Sequence, residues 1–394
     1  MKGFVLLCLL QLIKVNFCLD NQPSVIENQK HYAGYSVFRM VPIDEEDLEN
    51  LRHLAEKDDL QLDFWKAPTV VNQAVDVMVA PEKIPFLEQY LIAKKIPRTI
   101  LMFDVHHERK MEMAMPSFLT GRDSNAFFSS YKRLEEIHKY IDELADKNPN
   151  ITSIISIGRS GENRDLKAIK LVSEYDNNPE VKELVDSFDW YILPVVNPDG
   201  YVYSHSVNRM WRKSRRGLML FCRGVDLNRN FAFHWKEGGS SSSPCSETYA
   251  GFTAFSEPET KAISDYIFPQ KEKFVAYLAV HSYSQLWLTP WGWTSELPED
   301  YDQQVTVAKE ATQALSEVHG TKYRIGSSTN VLYVATGGAD DWAYGVAGIK
   351  YSYTLELRDT GRYGFMLPSE QILPTGEETW AGVKAMAKAI KRDM

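Results

Sequence analysis

The segment Cys222-Arg223-Gly224-Val225-Asp226-Leu227-Asn228-Arg229-Asn230-Phe231 sets a carboxamide beside a guanidinium on a short, Gly-turned stretch. A guanidinium presents a planar fork that pairs bidentately with a carboxylate, and the Asn228 amide can donate to the same group. That geometry suits the free C-terminus of a peptide; the alternative is that Arg229 pairs only a structural Asp. Two further residues with chemical potential, His281 and Glu356, fall at the ends of the apolar runs 274–283 and 350–357. An imidazole there can ligate a metal and a carboxylate can move a proton. Each alone reads better as a core histidine or a paired glutamate. Of the 9 histidines, only His53, in His53-Leu54-Ala55-Glu56, has the His-x-x-Glu spacing of paired metal ligands. It lies on an acidic helix well away from the other candidates.

The elements that must position these groups belong to a chain of 394 residues, 44% hydrophobic, enough for a large core plus a smaller one. A net charge of -9 argues against nucleic acid or an anionic membrane as partner. The start, Met1-Lys2-Gly3 followed by an apolar run to Ile13, has a charged head and is too short to span a bilayer. It reads as a signal peptide over 1–19, cleaved near Cys18 or Leu19, and places the product outside the cell as a monomer without a membrane anchor. Removal of Cys8 and Cys18 leaves Cys222 and Cys245 as a pair in an oxidising compartment. A disulfide between them is worth on the order of 3 kcal/mol by loop entropy. Asn150-Ile151-Thr152 is a sequon.

Over 20–105 the apolar pattern alternates as strand, helix, strand, strand, helix, strand, a ferredoxin-like α+β unit. A charged connector follows over 106–125, with Arg109-Lys110 and Thr120-Gly121-Arg122-Asp123 as sites for a trypsin-like protease. The small domain would then be a removable pro-segment. From 126 to 394 helical and strand patterns alternate, predicting an α/β domain with a mixed, largely parallel sheet flanked by helices. A site in such a domain lies beyond the carboxyl ends of the strands, where His281 and Glu356 fall. Asn197-Pro198-Asp199-Gly200 reads as a turn.

Asn197-Pro198-Asp199-Gly200-Tyr201, Arg209-Met210-Trp211-Arg212-Lys213, Val225 to Phe231, Pro244-Cys245-Ser246-Glu247-Thr248-Tyr249, His281-Ser282-Tyr283 and Glu356-Leu357-Arg358-Asp359-Thr360-Gly361 occur in this order. Together they resemble the secreted zinc metallocarboxypeptidases of the A/B family, over nearly the whole chain. The resemblance implies a zymogen with peptide or protein C-termini as substrates. It casts Glu356 as general base, Arg212 as the cation that stabilises the oxyanion, and His281 as a zinc ligand. Asn228 and Arg229 would clamp the terminal carboxylate, and Tyr333 would close over the bound residue. Asp340 would stand at the base of the specificity pocket and favour a C-terminal Lys or Arg. Gly292 and Ser328 depart from the B-type pattern.

A catalytic site of this kind takes two His and one Glu as zinc ligands; the ligand set is a standard example for this enzyme class. The two ligands that the family carries as His-x-x-Glu are absent. The chain runs from Leu171 straight into Val172, where family members insert a further strand, both ligands and a helix start. Glu174, Asp176 and His281 do not make a substitute. Zinc is therefore the family's cofactor but is not expected to bind this chain tightly, and the sheet is expected to lack one interior strand. Such a loss would leave the backbone groups of two neighbours unpaired, at about 1 to 3 kcal/mol each if buried. The absence leaves three readings: a carboxypeptidase zymogen whose present form lost its metal through a missing segment, a non-catalytic protein that binds peptide C-termini, or an inert, misfolded by-product.

Overall fold

The computed structural model describes residues 2–8, 29–55, 57, 60, 62–113, 126–170, 179–217 and 222–394, with the side chains of 2–8, 113, 126 and 179–181 excepted. The chain begins with strand β1 (Lys2–Cys8). A small unit comes next: β2 (Ser36–Met40), α1 (Glu45–Ala55), β3 (Asp63–Lys66), β4 (Val75–Val79), α2 (Ile84–Lys94) and β5 (Arg98–Met102). Its strands pair antiparallel in the order β3-β4-β2-β5. Leu51, Leu54, Leu87 and Leu91 from the helices close over Phe38, Met40, Val75 and Val77. The order is the βαββαβ pattern that the alternation predicts.

The stretch read as an exposed connector is helical in its first half. Helix α3 (Val105–Met113) carries Arg109 and Lys110, and its buried Glu112 pairs with Arg209 of the large domain. A helix docked by such an ion pair resists the local unfolding that proteolysis needs. The second basic site, Arg122, lies outside the described residues.

The large domain continues with α4 (Leu134–Lys147), β6 (Ser153–Arg159), β7 (Asp165–Lys170), α5 (Pro179–Ser187), β8 (Phe188–Leu193) and α6 (Pro198–Ser206). Then come α7 (Pro258–Ile267), β9 (Phe274–Ser282), β10 (Leu286–Thr289), α8 (Tyr301–His319) and β11 (Arg324–Ser327). The chain closes with α9 (Ser328–Val331), α10 (Ala339–Gly345), β12 (Tyr351–Leu357) and α11 (Ile372–Asp393). The predicted turn at Asn197 is instead the start of α6: the Asn197 side chain accepts from Gly200 N–H at 3.0 Å and Pro198 occupies the first turn, where its missing N–H costs nothing.

The sheet is eight-stranded and mixed, in the order β11-β10-β12-β9-β1-β8-β7-β6. α8 and α11 cover one face through Val307, Ala308, Ala311, Val383, Met386 and Ile390, packed on Trp190, Leu278 and Tyr353. α7 and α10 cover the other through Ile263, Ile267, Trp342 and Ala343. The interior position expected to be empty is filled. β1 lies parallel to both β8 and β9, with Val5 opposite Tyr191 on one side and Tyr277 on the other. The predicted exposure of two strand edges is corrected accordingly: an apolar segment far away in sequence supplies the backbone partners. The seam at Leu171 and Val172 lies outside the described residues.

Candidate functional site

β9 and β12 run parallel and place Glu356 directly opposite His281, at the carboxyl ends of both strands. Burial pushes the Glu356 carboxyl up to about 8, against the pull of Arg212, Lys66 and Arg229. Burial also holds the His281 imidazole down at about 4, and the same two arginines push it in the same direction. The pair is therefore set among cations, in a pocket of low dielectric.

Arg212 reaches this region from the loop after α6. Its Nε donates to Asp226 Oδ2 at 3.0 Å. Burial raises the Asp226 pKa, but Arg212 and Arg229 more than offset it, and the carboxyl stays below its ordinary value. The same carboxylate accepts from Asn228 N–H at 3.1 Å, so Asp226 ties Arg212 to the clamp segment. Asn197 fixes the other side, donating to the carbonyls of Arg212 and Lys213 at 3.1 and 3.0 Å. Sequence reasoning assigned no role to Asp226 or Asn197; a short polar side chain beside each quoted block is the only signal present.

The open alternative for Arg229 is resolved by its partners. It is buried, its Nη1 donates to the Asn228 carbonyl at 2.8 Å and its Nε to the Gly239 carbonyl at 3.2 Å. Among the described residues no carboxylate lies within ion-pair distance of it. A buried guanidinium with carbonyl acceptors alone retains its positive charge for an incoming anion. The Asn228 side-chain oxygen accepts from Ala339 N–H at 2.9 Å, linking the clamp to the start of α10. Gly337, at φ +71°, lets that loop approach: a Cβ there would stand 2.4 Å from the Arg229 carbonyl oxygen. Tyr333 lies with its ring centroid 6.0 Å from the Arg229 guanidinium carbon.

Asp340 and Asp341 open α10 and are both buried. Asp341 is occupied structurally, accepting from Gly292 N–H at 2.9 Å and Trp293 N–H at 3.1 Å. Asp340 has no cation within ion-pair distance among the described residues, and burial raises its carboxyl above the ordinary value. The Ser352 hydroxyl holds its backbone carbonyl at 2.8 Å. The Cβ position of Gly292 would fall 3.7 Å from Ser328 Cβ and 3.4 Å from Asp341 Oδ2, so the two departures from the B-type pattern adjoin this carboxylate pair.

The small domain covers this ground. Arg39 forms a bidentate pair with buried Asp76, at 2.6 and 2.7 Å, and the Tyr283 hydroxyl donates to Asp76 Oδ2 at 2.8 Å. Lys66 Nζ stands 4.8 Å from the centroid of the Tyr283 ring and within the field of Glu356. Thr69 and Gln73 donate to the carbonyls of Leu332 and Val331, each at 3.2 Å, immediately before Tyr333.

The described residues do not fit a catalytic zinc ion. Among the described residues no three His, Cys, Asp or Glu side chains converge. Around His281 stand Arg212, Arg229 and Asp226, and the Asp226 carboxylate is already held by Arg212. His53 is exposed on α1 in the small domain, and its partner by spacing, Glu56, lies outside the described residues. Cys222 and Cys245 are disulfide-bonded, with Cα atoms 5.0 Å apart.

A family model described as zinc carboxypeptidase matches residues 137–174 and 168–382, and one described as carboxypeptidase activation peptide matches 38–112. Carboxypeptidase A2 of Mus musculus is 38% identical over 399 positions, covering 92% of this chain and 95% of that protein. Carboxypeptidase B of Astacus astacus is 44% identical over 297 positions, covering 67% and 98%. The alignment with the mouse protein is longer than the 92% of this chain it contains, leaving roughly three dozen positions without a residue here. Of solved structures, thrombin activatable fibrinolysis inhibitor superposes with a TM-score of 0.82 at 31% identity, covering 91% of this chain and 99% of that one. The carboxypeptidase A from Helicoverpa armigera gives 0.80 at 30%, covering 91% and 98%.

Proposed function

Because the chain belongs to the zinc carboxypeptidase family, as a zymogen-type member of the A/B group with an activation-peptide domain, we propose that it recognises peptide C-termini ending in Lys or Arg without hydrolysing them. The observation that carries this reading is the pair of buried groups of opposite charge type left without ionic partners among the described residues: Arg229 for a terminal carboxylate and Asp340 for a basic side chain. A ligand that carries both charges supplies a partner to each, and a peptide ending in Lys or Arg does so. Tyr333 flanks the clamp and would cover the bound residue.

Catalysis is a different matter. Glu356 is suited to hold and release a proton near neutral pH, and Arg212 to balance a developing oxyanion. Neither replaces a Lewis acid, and His281 alone cannot hold zinc in a catalytic geometry. The chain therefore keeps the groups that bind and orient a peptide end and lacks those that would activate water.

Calorimetric titration tests this, using the chain cleaved in the connector near Arg122. A peptide ending in Arg should bind in the micromolar range, its amide and a Phe-ending analogue at least about ten-fold more weakly. Equal affinities for the three would refute the reading. Metal analysis should find zinc far below one per chain; stoichiometric zinc with release of C-terminal Lys or Arg would overturn the non-hydrolytic part.

A second reading has its own observation. The two stretches matched by the family model overlap at 168–174, at the seam where the ligand-bearing segment is missing. A longer transcript carrying His-x-x-Glu there would encode the hydrolase, secreted and activated by a trypsin-like protease. Sequencing the transcript across the seam distinguishes the two.

A further inference from the structure

β6 closes one end of the large sheet: it pairs with β7 on its inner side, and among the described residues no strand pairs with its outer side. An open edge of this kind recruits strands of other chains unless something guards it. The run 151–157, Ile-Thr-Ser-Ile-Ile-Ser-Ile, is β-branched or serine at every position and holds no charge, Pro or Gly. That is the composition from which intermolecular strands form. Ile154 stands 36% exposed within it. The far half of the strand has a guard of its own, an irregularity in register between Ser156 and Arg159. The near half, Ser153 to Ile155, pairs in regular register and lacks one.

Asn150 stands just ahead of that near half, on the turn that follows α4. The turn is built on the Asn148 carbonyl, which accepts from the Ile151 and Thr152 N–H groups at 3.1 and 3.0 Å and from the Thr152 hydroxyl at 2.7 Å. The Asn148 side chain is occupied, donating to the Leu144 carbonyl at 2.9 Å. Asn150 is exposed at the tip, and its side-chain amide has no hydrogen-bond partner among the described residues. Asn150-Ile151-Thr152 is also the only Asn-x-Ser/Thr triplet in the chain. The Cys222–Cys245 disulfide suits the oxidising compartment in which such triplets are modified.

We propose that Asn150 is an N-glycosylation site whose oligosaccharide guards the near half of β6 against edge-to-edge association. In the transfer, the Asn150 amide nitrogen bonds to the anomeric carbon of an oligosaccharide carried on a lipid diphosphate. The bond from that carbon to the diphosphate oxygen breaks, the lipid diphosphate leaves with the electron pair, and the amide nitrogen gives up one proton. Because the amide has no protein partner to lose, the folded turn accommodates the product. A bulky, hydrated group there lies beside Ser153 to Ile155 and excludes a second strand. The inference rests on passage of the chain through a secretory compartment and is independent of the proposed binding of peptides.

The test is mass spectrometry of peptides spanning Asn150, from the full chain expressed in a secreting eukaryotic cell, with lysate and medium both read. Asn150 should carry an N-linked glycan removable by N-glycosidase. Asn150→Gln and Thr152→Ala should abolish it, and Thr152→Ser should retain it. Unmodified Asn150 in both fractions would overturn the proposal. Light scattering at matched concentration reads the guarding role: Asn150→Gln should associate at least about ten-fold faster than the glycosylated parent. Asn150→Gln combined with Ile154→Lys should return to the parent rate, since an edge lysine blocks pairing. Enzymatic removal of the glycan from the folded parent should give the same acceleration as Asn150→Gln. Equal rates for the glycosylated and stripped parent would refute the guarding role, and acceleration in Asn150→Gln alone would trace that variant to a folding defect instead.

Discussion

Asp340 and Arg229 are both buried without an ionic partner among the described residues, and the consequence is measurable at single residues. Asp340→Ala should lower affinity for an Arg-ending peptide by ten- to a hundred-fold, about 1.5 to 3 kcal/mol, and leave a Phe-ending peptide unaffected or improved; calorimetry reads both. A second residue makes a pH prediction. Burial raises the Glu259 carboxyl from 4.5 to about 7, although Gly161 N–H donates to its Oε1 at 2.9 Å. Between those values the folded state holds a proton that the unfolded state releases. The stability it contributes is present below pH 4.5 and lost as pH rises through 7. Glu259→Gln should remove this dependence, so that the variant gains on the order of 2 kcal/mol over the parent between pH 4 and 8 in urea denaturation. A parallel pH profile for the two proteins would contradict the assignment. Residues such as Asn228, Arg229 and Glu356 are legible in sequence because each sits in a short contiguous block. Tyr283 with Asp76 is not, because those partners are 207 residues apart and nothing local to either marks the bond.

At the scale of elements, the most informative join is the start of α6. Asn197 caps the helix through Gly200 and also holds the two carbonyls at Arg212 and Lys213, so one side chain sets both a helix terminus and the position of a site cation. Asn197→Ala should cost about 1 to 2 kcal/mol, seen as a lowered denaturation midpoint at unchanged slope. An unchanged midpoint would show that water replaces the side chain at no cost. The turn predicted here from Asn-Pro-Asp-Gly and the helix observed share the same first residues, because Asn and Pro are favoured both in turns and at a helix start. The residues after Gly200 select the helix, since Tyr201 and Val202 pack beside the α4 residues Leu134 and Ile137. The connector shows the same limit: its charge is legible, but its helix owes its place to Glu112 meeting Arg209 across 97 residues. The short strands β10 and β11 carry too few residues to show a period, and they exist because β12 offers β10 a partner.

For the whole molecule, the small domain acts as a cover bound by Asp76, Lys66, Thr69 and Gln73 to the loops around Tyr283 and Tyr333, and by Arg39 to the Thr360 carbonyl. The intact chain should therefore bind an Arg-ending peptide at least about ten-fold more weakly than the cleaved chain, and Asp76→Ala in the intact chain should recover part of the difference. Equal affinity before and after cleavage would show that the cover leaves the clamp open. Domain order, the small βαββαβ unit, the large α/β domain and the absence of His-x-x-Glu from the large domain are legible in sequence alone, because periodicity, cleavage chemistry and ligand spacing are local properties. Tertiary structure alone decided where the apolar segment that opens the chain lies: β1 pairs with β8 and β9, partners that no local pattern could name. It likewise decided that the Arg229 guanidinium has no ion-paired Asp among the described residues, since a local sequence can present a charge but cannot say which carboxylates the fold keeps away from it.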